Sequence, residues 1–121
     1  MEFKATKGIF LQIADRLCHE ILDGKFLIDD RVPSVRELAT ELEVNRNTVM
    51  RSFSYLHEQG ILHNKRGVGF FVSQNALEII KRREKQAFFE NEKPGLLEKI
   101  RLLKLNSTDL QDIITELNNN D

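Results

Sequence analysis

The 121-residue sequence has no tryptophan, one cysteine and two prolines. A single cysteine cannot close an internal disulfide, so the fold rests on its core, and Cys18 reads as a small buried apolar residue on the inward face of a helix. No apolar run approaches the ~18 residues of a membrane-spanning helix, and the opening Met1-Glu2-Phe3-Lys4-Ala5-Thr6-Lys7-Gly8 carries no apolar signal segment. A soluble, reducing, cytoplasmic setting is the expectation. An excess of one charge is missing too: 18 Lys and Arg face 19 Asp and Glu, a net charge of −1. A global field that would attract nucleic acid or a membrane is therefore excluded, and any such patch must be local. The histidines (His19, His57 and His63) share no metal-ligand spacing, and no Cys or carboxylate cluster joins them. No Ser-His-Asp or Cys-His arrangement can be argued either. The expectation is no catalytic site, no metal and no cofactor.

What is present suffices for a small core. Hydrophobic residues make up 40% of the chain, eight of them Phe, so composition does not predict disorder. At ~100–200 residues per domain, the length allows one domain and a small appendage, and excludes a large α/β core of the Rossmann or barrel kind.

Apolar periodicity organises the chain. Ile9, Ile13, Leu17 and Ile21 recur every four residues, predicting a core-facing helix over 9–22 that stops before Gly24. A turn-rich stretch from Lys25 to Val32 leads to Pro33. Ser34-Val35-Arg36-Glu37 is a capping box, with Ser at the N-cap and Glu three residues on, and opens a helix that turns Val35, Leu38, Ala39 and Leu42 inward. Asn45 caps a third helix, whose Val49, Phe53 and Leu56 face the core and which ends before Gly60. Two extended segments, Ile61–Asn64 and Gly69–Val72, joined through Lys65-Arg66-Gly67-Val68, predict a β-hairpin. Three helices with a tight break between the second and third, then a hairpin, describe a winged helix-turn-helix over residues 1–73. Residues 74–121 read as helical, with Pro94 either kinking one helix or starting a second, Pro94 to Leu105. Asn106 is expected in a left-handed position, with Ser107 capping a last helix. The fold class is mainly α with a small β-hairpin: a winged helix-turn-helix domain and a short all-α C-terminal region.

Three blocks in fixed order, Pro33-Ser34-Val35-Arg36-Glu37-Leu38-Ala39, Val44-Asn45-Arg46-Asn47-Thr48-Val49 and Lys65-Arg66-Gly67-Val68-Gly69-Phe70-Phe71-Val72, resemble the DNA-binding domain of GntR-family bacterial transcription regulators. Ile9-Phe10-Leu11-Gln12-Ile13-Ala14 and Asp23-Gly24-Lys25 fit the same pattern, so the resemblance covers about residues 9–73. The short helical tail resembles the YtrA-type branch, which implies a dimerisation element; members of this kind are often repressors. The sequence departs from the family pattern at three places. Glu43 stands where Gly is usual between helices two and three, so it either strains the turn or the turn differs. Met50 replaces a second Arg or Lys. Phe70 replaces a small polar wing residue and is expected against the tail helices.

The chemistry expected of these residues is readout of double-stranded DNA. The start of helix three would enter the major groove, where Arg46 suits guanine and Asn47 adenine. Thr48 and Ser52 offer short hydroxyls to phosphate or a base edge, while Arg51 reads as a phosphate contact. Arg36, in the first turn of helix two, would meet the DNA backbone or the groove edge, and the cap residues Ser34 and Asn45 are counted among the DNA-binding residues. In the wing, Lys65 and Arg66 would meet phosphate or the minor groove, with Gly67 and Gly69 either bringing the backbone close or serving only a tight turn. Between residues 46 and 66, Arg46, Arg51, Lys65 and Arg66 face one acid, Glu58. Met50 reads as packing before a thymine-methyl contact, and the run Lys81-Arg82-Arg83-Glu84-Lys85 as a solvated helix face.

The tail stripes, with Leu96, Ile100, Leu103, Leu110, Ile113 and Leu117, exceed what a thin appendage buries alone. They predict a homodimer on a two-fold symmetric operator. A small-molecule effector is unknown from the sequence; a pocket of about 300–1,000 Å³ would have to lie between subunits or between tail and winged domain. The competing reading is a winged-helix adaptor for proteins without sequence-specific DNA binding. It leaves the Asn45-Arg46-Asn47-Thr48 start of helix three without a purpose.

Overall fold

The structure, a computed structural model, describes residues 7–120. In chain order these form α1 (Ile9–Leu22), α2 (Val35–Leu42), α3 (Arg46–Glu58), β1 (Leu62–Lys65), β2 (Gly69–Val72), α4 (Ala76–Ala87), α5 (Lys93–Leu102) and α6 (Ser107–Asn119), with a π-helical turn, Phe88–Glu92, between α4 and α5. The winged helix-turn-helix read from the sequence is borne out. Two compact units divide the chain, one ending at Arg83 and the other beginning at Glu84. Ala76 and Ile80 lie in the core of the first, so the winged domain takes up the opening turns of the helix that the sequence assigns to the tail.

In the first unit, α1 packs Leu17 and Ile21 against Val49, Phe53 and Leu56 of α3, all buried. Ser34 caps α2 as expected, its Oγ accepting from the Glu37 N–H at 3.0 Å while the Glu37 carboxylate accepts from the Ser34 N–H at 3.4 Å. Asn45 caps α3 through its Oδ1, 2.7 Å from the Asn47 N–H. Between them Glu43 stands in the left-handed region at φ 56°, ψ 46°. The turn has therefore kept its geometry and accepted strain in the residue.

β1 starts one residue later than expected and ends at Lys65, which pairs with Gly69. Gly67, at φ +79°, occupies the turn closed by the Val68 N–H to the Lys65 carbonyl at 2.8 Å. The stretch before Pro33 does more than turn. Arg31 bridges to Phe71, and hydrogen bonds of 2.9–3.0 Å join Asp29, Asp30 and Val32 to Val72 and Phe70, giving the wing a third rung. Phe70 is packed and does not face solvent. Two residues before buried Val72 it shares that face, and it packs on Phe53 edge-to-face at 5.0 Å.

In the second unit, Pro94 follows the π-helical turn. Proline lacks an N–H and its ring crowds the carbonyl four residues back; the wider turn at Phe88–Glu92 absorbs that misfit, and α5 begins at Lys93. Helix α5 ends at Leu102, short of the expected Leu105. The left-handed residue after it is Lys104, at φ 53°, not Asn106. Asn106 is extended and caps α6, its Oδ1 accepting from the Asp109 N–H at 2.9 Å while Asp109 accepts from the Asn106 N–H at 3.0 Å. An Asn with an acid three residues later completes a box at its own position, leaving Ser107 as the first helical residue. No residue of the π-helical turn, α5 or α6 is buried.

Relief of the left-handed strain at Glu43, ~1–2 kcal/mol, outweighs the added freedom of an unfolded Gly, ~0.4–1 kcal/mol. Glu43→Gly should therefore raise the urea midpoint, by about 0.5–1 kcal/mol of stability; an unchanged or lower midpoint refutes the strain.

Candidate nucleic-acid interface

Helix α3 carries its inward face on Val49, Ser52, Phe53 and Leu56, each 0% exposed. At 3.6 residues per turn the opposite side carries Asn47, Met50, Arg51 and Ser54, and all four are exposed, as is Arg46 in the first turn. Thr48 is half-buried beside the cap. Ser52 cannot serve as an outward hydroxyl: its Oγ lies 2.6 Å from the Phe10 carbonyl and 3.2 Å from that of Thr48. Position 52 is three residues from Val49 and next to Phe53, so the helical period places it inside. The same period brings Ser54 out beside Arg51, a candidate that the sequence reading missed.

Phe10 supports this surface from α1. Its ring stacks under the Arg51 guanidinium, 4.2 Å from centroid to Cζ, and meets Tyr55 edge-on at 6.3 Å. Tyr55 in turn accepts a 2.8 Å hydrogen bond from Arg83 Nη2, whose guanidinium lies 5.5 Å from the Tyr55 ring centroid. Stacking on a ring leaves the in-plane N–H donors of Arg51 open to a partner. Arg83, read from sequence as part of a solvated run, is instead an anchor for α4.

The wing presents Lys65, Arg66, Gly67 and Val68 to solvent, with the Lys65 ammonium 4.3 Å from the Phe71 ring centroid. Arg36 is exposed at the start of α2, and Ser34 and Asn45 are held in their caps. Arg36, Arg46, Asn47, Arg51, Lys65, Arg66 and Gly67 are thus each exposed on the winged domain, and Gly69 is half-buried.

On and beside α1, Lys7 pairs with Asp15, Lys25 with Glu20 at 2.6 Å, and Arg16 with Glu20 and Glu41 at 3.6 Å. Among the described residues, Arg31, Arg36, Arg46, Arg51, Lys65 and Arg66 have no carboxylate partner. Also among the described residues, no three His, Cys, Asp or Glu side chains are grouped to hold a metal, and no helix is long and apolar enough to cross a membrane.

A winged helix-turn-helix with open cations on its third helix and wing is the architecture of a DNA-binding transcription regulator. The chain belongs to the gntR family of bacterial regulatory proteins, whose model matches residues 10–72. It is 39% identical over 75 residues to the HTH-type transcriptional regulator YhcF of Bacillus subtilis (strain 168), covering 62% of each chain. It is 37% identical over 73 residues to the HTH-type transcriptional repressor YtrA of the same organism, covering 60% of this chain and 56% of that one. These matches span less than two-thirds of either relative. A crystal structure of a GntR-family transcriptional regulator from Bacteroides thetaiotaomicron matches with a TM-score of 0.70 at 38% identity, over 93% of this chain and 98% of that one. The likeness therefore takes in helical tail as well as winged domain. The DNA-binding domain of AraR, crystallised with its operator ORR3, matches 60% of this chain and 95% of that one, with a TM-score of 0.52 and 28% identity.

Phe10→Leu keeps the carbonyl that holds Ser52 and removes the ring under Arg51. An exposed cation–π contact is worth about 0.5–1 kcal/mol, so DNA affinity measured by fluorescence anisotropy should fall roughly two- to fivefold. Unchanged affinity in a folded variant would show that Arg51 needs no support from Phe10.

Proposed function

We propose that this chain is a sequence-specific repressor that occupies a palindromic operator as a homodimer, without catalysis. The observation that carries the DNA reading is the outward face of α3, where Asn47 and Arg51, with Arg46 in the first turn, are exposed opposite the buried stripe, together with exposed Lys65 and Arg66 on the wing; none of these cations has a carboxylate partner among the described residues. Like charges left open on one surface repel one another and cost stability, a cost offset when a polyanion binds.

In this reading Arg46 and Asn47 read base edges in the major groove, with Thr48 alongside. Arg36, Arg51, Lys65 and Arg66 hold phosphates, Ser34 and Asn45 fix the turns at the backbone, and Gly67 and Gly69 let the wing approach the minor groove. The dimer reading rests on the tail. Leu96 is 49% exposed, Leu103 61%, Ile113 47% and Leu117 64%, with Ile100 and Leu110 half-buried beside them. A helical unit without one buried side chain among the described residues supplies little of its own stability, and a second copy would cover that surface. Two copies related by a two-fold axis would address half-sites about 34 Å apart, one turn of DNA. Repression follows from occupancy: bound to a promoter, the dimer excludes polymerase.

Selection of duplexes from a random pool tests the reading, with Arg46→Ala in parallel. A two-fold symmetric motif should emerge with the wild type, and the variant should lose about 1–3 kcal/mol and relax its choice. No enrichment with the wild type would favour a protein-binding adaptor. Eight phosphate partners in a dimer, not all engaged, predict a slope of log K against log salt of about −5 to −7; one shallower than about −2 would mean these side chains do not face the backbone.

Leu103→Asp combined with Leu117→Asp should sediment as a monomer and bind a single half-site weakly. A variant that remains dimeric would remove the tail from the interface.

A further inference from the structure

The outer face of the wing holds an arginine that the interface described above does not use. Phe71, on β2, pairs with His63 of β1 on one side and with Arg31 on the other, and Lys65 pairs with Gly69. Residues opposite one another across strands share a face, as do residues two apart along a strand. Arg31, His63, Lys65, Gly69 and Phe71 therefore lie on one face, while Phe70 and Val72 on the other join the core.

On the outer face the two cations reach inward from opposite flanks of β2. The Lys65 ammonium lies over Phe71, 4.3 Å from the ring centroid. The Arg31 guanidinium crosses Gly69, where an added Cβ would come within 2.8 Å of Arg31 Nε. Gly69 also holds φ +141°, so its missing side chain serves both the backbone and the arginine's seat. Neither cation has a carboxylate partner among the described residues. Two like charges placed over a small apolar floor, with no counter-ion, form a site for an anion.

We infer that Arg31 binds a backbone phosphate of duplex DNA beside Lys65, across the gap that Gly69 leaves in the wing. The inference rests on the DNA-binding reading above and enlarges its footprint. An arginine suits the role because its planar donors match phosphate oxygens. Contacts of this kind position the protein on DNA without reading sequence.

The test uses the full chain and the duplex that the wild type selects, with binding measured across a range of salt. Each phosphate that is no longer neutralised makes the slope shallower by about 0.9. Arg31→Gln should thus flatten it by about two in a dimer and leave base preference unchanged. Gly69→Ala should share that flattening by displacing the guanidinium, whereas Lys81→Gln, an exposed cation on α4, should leave the slope alone. Inorganic phosphate is the second probe, followed by the Gly69 amide resonance, which should shift saturably in the wild type and not in Arg31→Gln. A phosphate shift with no change of DNA slope would assign the site to free phosphate and overturn the backbone role. Full slope in a folded Arg31→Gln protein that still selects the duplex overturns this inference alone, whereas a wild type that selects no duplex overturns the DNA reading together with it.

Discussion

Burial of one stripe of α3 governs the first unit. Val49, Ser52, Phe53 and Leu56 are inaccessible to solvent, and a helix fixed along one side has its other side fixed as well. Phe53 is the centre of that stripe: its ring takes the edge of Phe70 from the wing, so one side chain sets the helix and the hairpin against each other. Ser52 adds a polar lock to the Phe10 carbonyl on α1. A buried hydroxyl needs such a partner, and here the partner's ring also seats Arg51. Packing and the outward chemistry are thus tied through Phe10.

The near-neutral total charge conceals how charge is distributed. Acidic side chains of α1 and α2 neutralise Lys7, Arg16 and Lys25, while the wing and α3 leave their cations open. A protein built this way keeps a low net charge, which limits indiscriminate attraction to polyanions, and still offers a local field to a partner of the right shape. Stacking on Phe10 and on Phe71 seats two of these cations, Arg51 and Lys65.

Most of the winged domain was legible in the sequence because its signals are local and agree with one another. The Ser34 and Asn45 caps, the period of α1 and α3 and the Gly67 turn each depend on a few neighbouring residues, and each formed as read. The misreadings came where distant segments decide. Arg31 and its neighbours looked like a turn because their hydrogen-bond partners lie some forty positions away on β2. Arg83 looked solvated because Tyr55 sits on another helix. Ser52 was different: period-3.6 counting places it inside, between Val49 and Phe53. In the tail, Asn106 and Ser107 both suit an N-cap, and the acid three residues on, Asp109, decides for Asn106. At the interface Arg46, Asn47, Arg51, Lys65 and Arg66 are exposed, as the helical period and the hairpin turn require.

The second unit, in which the π-helical turn, α5 and α6 bury nothing, has a consequence in mass action. If its apolar face is completed by another copy, part of each chain's folding free energy scales with the logarithm of its own concentration. Dilution would then loosen the tail and halve the DNA-binding valence in the same step. Because two half-sites on one duplex are gripped together only by a joined pair, occupancy of the operator would rise more steeply than in proportion to abundance. The cell's supply of this chain would itself act as a threshold.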